Sequence, residues 1–307
     1  MDRRRIAEHF RLHARQHFQH FGRNRTGRVV VEVSHGMPRY SDCMMRGSKL
    51  IALLTDFGWR DTFVGVMKGV IAGIAPSARV VDLCHDVEPQ EIDQARFLLR
   101  GAVPFFPKGT IFVCVVDPGV GSARRALCVE SGGRIFIGPD NGLFTEALLG
   151  KGARAREITN PKLRLPAVSQ TFHGRDVFAP AAAHLAAGVA PSKLGRIVRD
   201  PVRLPPLDPV RTGRRFWSGR IAHIDRFGNL ITNLPAAEFL PPAVRGIALT
   251  AGFRTITRVC RFYAEAPDGE LFLIAGSSGT IEISMNRDSA AKKLGMAVGS
   301  PVEVEIW

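Results

Sequence analysis

Residues Thr110 to Arg125 read TIFVCVVDPGVGSARR, and the fold of the first half of the chain turns on how that stretch divides. Its first part, Ile111-Phe112-Val113-Cys114-Val115-Val116, is apolar and β-branched without alternation. That is the pattern of a parallel strand buried on both faces. The run stops on Asp117-Pro118-Gly119-Val120-Gly121. A carboxylate at the carboxyl end of such a strand, followed by a turn, sits where open α/β sheets place their chemistry. Arg124 follows Asp117 by seven positions, enough for the loop to fold back and bring a guanidinium to the carboxylate.

Upstream, Leu50–Thr55 is a short apolar strand ending in Asp56-Phe57-Gly58, with Asp61 five positions beyond Asp56. The DFG triplet has no HRD loop or glycine-rich loop before it, which excludes a kinase reading. Val64 to Ala75 has helical spacing and is closed by Pro76. Arg79–Cys84 reads as a second strand, leading into His85-Asp86-Val87-Glu88-Pro89, and Glu91 to Phe105 as a second helix. With the Asp117 strand these make two βαβ units, right-handed by the usual rule. Downstream, Ala126–Val129 and Arg134–Ile137 flank Ser131-Gly132-Gly133 as a hairpin. Gly138-Pro139-Asp140-Asn141-Gly142 turns into a helix at Leu143 to Leu149, and His173 stands at the entry of an alanine-rich helix that runs to Gly188.

Residues 191–213 are rich in proline and arginine and read as a linker. Beyond them the texture is short alternating strands, at Phe216–Ile224, Gly246–Thr250, Thr255–Tyr263, Glu270–Ala275, Thr280–Met285 and Val302–Ile306. That spacing suits a barrel. The expected organisation is therefore an α/β domain with a mainly parallel sheet over residues 49–190, the linker, and a β-barrel domain over residues 214–307.

The chain has 307 residues, 45% of them hydrophobic, which is ordinary globular material with room for two domains. No apolar run approaches the ~18–20 residues of a membrane span, so no membrane partner is expected. The five cysteines are scattered without a CxxC pair, which fits a reducing, cytoplasmic compartment. The net charge of +14 is uneven. Residues 1–49 hold ten arginines and one lysine against four acids, with five of the nine histidines. Clustered arginines suit a nucleic-acid arm, while the acids, the histidines and the lack of a following apolar region fit a targeting peptide poorly. Residues 1–48 are expected instead to be a basic extension without order, so nucleic acid is not an expected partner.

The motifs TDFG, HDVEP, VVDPGVGSARR, GPDNG, TFHGRD, DRFGNLITN and GSSGTIEISMNR occur in that order over residues 49–307. Together they resemble the S-adenosylmethionine (SAM) hydroxide adenosyltransferases, relatives of the SAM-dependent fluorinase and chlorinase. The resemblance implies hydrolysis of SAM to adenosine and L-methionine, with SAM as substrate and neither metal nor cofactor. It also implies a homotrimer whose active sites lie between the α/β domain of one subunit and the β domain of the next. The catalytic trio carries over to Asp117, Arg124 and His173. Asp56 matches the residue that grips the ribose diol, and Asp61 and Asp225 match acids near the methionine ammonium. Asn229 matches the adenine-reading amide, with Ser277, Glu282 and the Met285 backbone around the nucleoside.

The chemistry is coherent without a metal. The sulfonium leaves as a neutral thioether, so what the reaction lacks is a competent nucleophile. The halogenating branch carries Tyr in place of Asp117, Thr or a small residue in place of Val120, and Ser in place of Gly174. A carboxylate beside a halide in a low-dielectric pocket repels it by several kcal/mol, which favours hydrolysis. Two other classes remain open at this point. The strand-end groups Asp56, Asp82, His85, Asp86 and Asp117 could hold divalent metals in a phosphoesterase, or the chain could be a SAM or adenosine sensor without turnover.

Overall fold

A computed structural model of the chain describes residues 49–240 and 244–307. The basic extension expected over residues 1–48 lies outside the described residues.

The first sheet has seven strands: β1 (Leu50–Thr55), β2 (Arg79–Cys84), β3 (Ile111–Val115), β4 (Ala126–Ser131), β5 (Arg134–Pro139), β6 (Arg154–Glu157) and β7 (Ile197–Val198), in the order β2-β1-β3-β5-β4-β6-β7. The β2-β1-β3-β5 pairings are parallel, and those on the β4-β6-β7 side are antiparallel. Because β1 and β3 are central, alternate residues point to opposite faces and all are apolar. Ile51, Leu53, Ile111 and Val113 pack on one face with Val64, Met67 and Ile71 of α1 (Phe63–Ile74). Ala52, Leu54, Phe112 and Cys114 pack on the other with Ala95 and Leu99 of α2 (Ile92–Ala102). This is why the sequence shows unbroken apolar runs rather than alternation.

The strand that follows α1 lies on one side of β1, and the strand that follows α2 lies on the other. The connections diverge at the carboxyl ends of β1 and β3, which opens a crevice there. Asp56 and Asp117 are the first residues past those two ends apart from Val116.

Two helices differ from their sequence pattern, one at its end and one at its start. The second helix ends at Ala102, and Val103–Phe105, with Pro104 inside it, forms a 3₁₀ turn. The alanine-rich helix begins as a π turn over Gly174–Phe178 before α4 opens, after the short α3 (Thr145–Leu148), at Ala179–Ala186. Pro180 supplies the reason. It has no N–H to give Asp176 O, the carbonyl four residues back, and that carbonyl instead accepts from Leu165 N at 2.9 Å. The Ala179 N–H reaches back five residues to Gly174 O. His173 stands at the start of this π turn, a feature that recurs at functional sites.

The second sheet contains β8 (Val210–Arg211), β9 (Phe216–Ile224), β10 (Leu230–Pro235), β11 (Ile247–Ala251), β12 (Arg254–Ile256), β13 (Val259–Cys260), β14 (Leu271–Ala275), β15 (Thr280–Met285) and β16 (Pro301–Ile306). Its ladder runs β12-β11-β16-β9-β10-β15-β14-β13, with β8 added beside β9. The expected barrel takes a curled, half-barrel-like form, in which β12 near one edge swings back to touch β14 near the other. Inside the curl lie Leu230, Leu249, Ile281, Ile283 and Val304, closed by Phe239 of α5 (Ala236–Phe239) and Ala290 of α6 (Ala290–Leu294). The strand expected over Thr255–Tyr263 is divided into β12, β13 and a 3₁₀ turn at Tyr263–Glu265.

The proline-rich stretch contributes to both sheets. β7 closes the edge of the first, β8 joins the second, and Leu207 packs with Phe97, Ala222 and Ile231 where the halves meet. Arg96, fully buried, is bound to Asp93 and Glu146 and donates to Pro205 O at 2.9 Å. Removing those partners would leave an uncompensated buried charge at a cost of about 3–5 kcal/mol. Among the described residues no helix is long and apolar enough to cross a membrane.

Candidate active site

The crevice at the ends of β1 and β3 is a cavity of about 380 Å³ lined by Asp56, Phe57, Phe63, Gln90, Asp117, Val120, Phe172 and His173, among others. Asp117 is gripped by Arg124, whose Nε donates to both carboxylate oxygens at 3.0 Å and whose Nη2 adds a short bond to Oδ2. The same Nη2 lies 2.7 Å from His173 Nδ1. A guanidinium only donates, so Nδ1 is the acceptor and the neutral imidazole carries its proton on Nε2. Burial, then the Arg124 charge, holds the His173 pKa below its ordinary value of 6.5. Arg124 also lies 5.3 Å from the Phe178 ring centroid, which packs its guanidinium from another side. The neighbouring Arg125 turns away, to Asp140 at 2.7 Å and Asp200 at 2.8 Å.

The local chain makes this arrangement. Gly121 has φ +77° and lies against the loop before His173, where an added Cβ would overlap Gln170 O. Glycine is needed there on both counts. From the GPDNG loop, Asn141 Nδ2 donates to Val116 O at 2.8 Å, which fixes the strand end beside Asp117. Gly174 is buried, and a Cβ on it would stand 3.1–3.3 Å from Phe172, Met67 and Phe57. The phenylalanines 57, 63 and 172 contact one another with centroids 5.0–5.8 Å apart and form the apolar wall of the cavity.

Asp56 is held by a second device. Its Oδ2 accepts from Gln90 N at 2.9 Å, and Gln90 takes φ +69° to present that N–H. Burial raises the Asp56 pKa, with the Asp117 charge adding to it. Behind the turn, Asp82 accepts from His85 Nε2 at 2.9 Å, so His85 Nδ1 is left to accept from Thr55 Oγ1 at 2.7 Å. Thr55 Oγ1 in turn accepts from Phe57 N, and Gly58 N donates to His85 O at 2.7 Å. Burial works against the Asp82 charge, but Lys68 and His85 hold its pKa below the carboxylate range. Together these bonds tie the TDFG turn to the end of β2 through His85.

These pairings bear on the metal alternative. Asp82 is taken by Lys68 and His85, and Asp117 by Arg124. Among the described residues no group of three or more His, Cys, Asp or Glu side chains is placed to hold a metal ion. A cation at Asp117 would also face the Arg124 guanidinium.

A second, larger cavity of about 860 Å³ lies on the second sheet and is lined by Asp225, Asn229, Ser277, Glu282 and Met285, together with His223, Phe227, Tyr263 and Arg287. The five expected here from sequence are brought together. Asp225 Oδ1 accepts from Phe227 N and Asn229 N at 2.9 Å, and its Oδ2 accepts from Asn229 Nδ2 at 2.8 Å. The Asn229 side-chain carbonyl oxygen has no hydrogen-bond partner among the described residues and is left as an acceptor. Tyr263 donates to Glu282 Oε2 at 2.8 Å, and Glu282 has its pKa raised by burial. A Cβ on Gly276 would overlap Glu282 Oε1, so glycine lets that side chain lie against the loop. Asp61 lies in neither cavity; it is exposed in a shallow hollow with Trp59 and Lys68.

Sequence reading did not single out Gln90, His223 or Tyr263. Gln90 carried the signal of following the HDVEP motif, and Tyr263 is one of only two tyrosines. His223, two positions before Asp225, had only its proximity to a motif.

Family models for the SAM hydroxide adenosyltransferase N-terminal and C-terminal domains match residues 51–195 and 219–303. The chain belongs to the SAM hydroxide adenosyltransferase family. An (R)-S-adenosyl-L-methionine hydrolase of Thermus thermophilus is 41% identical over 83% of this chain and 98% of its own length. A fluorinase of Nocardia brasiliensis is 26% identical over 84% of this chain and 97% of its own. Among solved structures, an uncharacterized conserved protein from Thermotoga maritima superposes with a TM-score of 0.77 at 35% identity. It covers 83% of this chain and 99% of that one.

Proposed function

We propose that this chain hydrolyses SAM to adenosine and L-methionine by in-line attack of water on C5′. The observation that carries this reading is Arg124 bound at once to Asp117 and His173, which line one cavity. Bond making and breaking balance simply. Water adds to C5′, the C5′–S bond breaks, methionine leaves with a neutral thioether, and the sulfonium charge departs as the water's proton.

The hydrogen-bond polarity divides the labour. His173 cannot accept a proton at Nδ1 while Arg124 donates there, so its Nε2–H orients the attacking water. Asp117 is then the acceptor for the proton, with lone pairs beyond those given to Arg124. Acceptance of that kind contributes about 10²–10⁴ in rate. The Arg124 charge stabilises the hydroxide-like water as the proton moves. Asp56, oriented by Gln90 N–H, supplies acceptors for the ribose diol, and the carboxylates draw the cationic substrate in.

The residues assigned to nucleoside binding, Asn229, Ser277, Glu282 and Met285, line the other cavity, and none of the residues quoted for either cavity lines both. This supports a homotrimer in which one subunit's first sheet faces another's second sheet, bringing Asp61 and Asp225 near the methionine end. Mixing an Asp117→Ala chain with an Asn229→Ala chain then restores activity; no recovery after proven subunit exchange would count against the arrangement. The four described cysteines are free, which supports a cytoplasmic location.

The reaction itself is tested in ¹⁸O-water. Purified chain with SAM yields adenosine labelled at the 5′-hydroxyl. Unlabelled adenosine would sink the water-attack mechanism, and no adenosine at all would leave a sensor.

A further inference from the structure

His223 is the histidine of the second cavity, and its partner comes from the first half of the chain. Gln94, near the start of α2, lies 129 positions away in sequence and places its Nε2 at 2.9 Å from His223 Nδ1. The other end of the same amide is committed. Gln94 Oε1 accepts from Glu88 N at 2.7 Å, and a backbone N–H can only donate, which settles which end is oxygen. Gln94 Nε2 therefore donates, and His223 Nδ1 accepts.

That polarity decides the tautomer. The neutral ring carries its proton on Nε2, which has no hydrogen-bond partner among the described residues and belongs to a side chain lining the cavity. Protonating Nδ1 would set two donors against each other. Burial also keeps His223 below its ordinary pKa, with Asp225 and Glu88 acting weakly in the opposite sense. Gln94 is itself 2% exposed, so water does not compete for the contact.

The rest of the cavity supplies the complement. Asn229 gives one amide N–H to Asp225 and has a carbonyl oxygen without a partner among the described residues, and Glu282 presents carboxylate oxygens. Both can receive an exocyclic amine. Adenine sets such an amine beside a ring-nitrogen acceptor on two edges, at N1 and at N7, and carries a further acceptor at N3. Reading it takes an acceptor and a neutral donor side by side. A cationic donor such as Arg287 suits an anion better.

We propose that His223, locked by Gln94 as the Nε2–H tautomer, donates a hydrogen bond to a ring nitrogen of the adenine base and so selects for that base. This rests on the adenosine-forming reading above. The Glu88–Gln94–His223 line, with Gln94 buried at its centre, joins the loop holding Asp56 to the nucleoside cavity.

The test uses the full chain and measures dissociation constants for adenosine, the 1-, 3- and 7-deaza analogues, and L-methionine. Wild type binds adenosine about tenfold or more tighter than one of the three analogues, because a polar site left unpaired rejects the analogue. His223→Phe weakens adenosine by that factor and loses the discrimination, with L-methionine unchanged. His223→Gln keeps an N–H donor and regains part of both, which also covers a Phe variant that fails to fold. Wild-type adenosine affinity in His223→Phe, retained discrimination, or an effect on L-methionine alone would overturn the assignment. A wild-type chain that binds no adenosine overturns the adenosine reading and this inference with it.

Discussion

The two cavities of this chain are built on opposite principles. The one between β1 and β3 is small, lined by phenylalanines, and every charged group on it is fixed by a partner of defined polarity. The one on the second sheet is more than twice as large and draws its polar groups from strands and loops alike, some held within a turn, as Asp225 holds Asn229, and some across the chain, as Gln94 holds His223. Chemistry at C5′ needs charges that do not reorganise while the bond breaks. Recognising a nucleoside needs shape and a few neutral donors and acceptors. The difference implies that damage to the first cavity shows in turnover and damage to the second in affinity.

The hardest blow to that division is Asp117→Asn. It keeps the shape of the first cavity but removes the proton acceptor, and kcat should fall by about 10²–10⁴ while adenosine affinity holds. A loss confined to KM, measured by initial rates, would dissolve the contrast. Gly276→Ala attacks the other side. Its Cβ overlaps Glu282 Oε1, so adenosine affinity should fall by about tenfold, roughly 1.4 kcal/mol, with kcat at saturation kept; calorimetric titration reads this directly.

Thr55→Val probes support rather than contact. It leaves His85 Nδ1 and Phe57 N–H unpartnered, costing about 1–3 kcal/mol of stability, and frees the turn that carries Asp56. KM should rise several-fold with a smaller change in kcat, and an unchanged KM would mean the turn is held by other contacts. The finest test is the His173 titration by NMR. Its pKa should lie below 6.5 in wild type, and Arg124→Gln should move it upward, because the guanidinium no longer opposes the imidazolium. A downward move would show that Arg124 does not set the His173 charge state.

Legibility in the sequence followed the range of the contacts. Asp117 and Arg124 were readable because a strand end and a seven-residue loop suffice to bring them together. Asp225 and Asn229 were readable as a motif for the same reason, although not that Asp225 spends its oxygens orienting Asn229. His173 had a motif but no visible cause for its position, which depends on Pro180 denying a hydrogen bond to Asp176 O and forcing the π turn. The proline-rich stretch hid β7 and β8, since two-residue strands have no period to detect. Gln94 and His223 were out of reach altogether, as nothing local in either segment announces a partner in the other half of the chain.

The division of labour is tested most directly by one paired measurement on Asn229→Ala: the adenosine dissociation constant and the single-turnover rate of SAM cleavage at saturation. The two-cavity account predicts weaker adenosine binding with the saturated rate within a few-fold of wild type. An unchanged dissociation constant with a saturated rate as low as that of Asp117→Asn would contradict it.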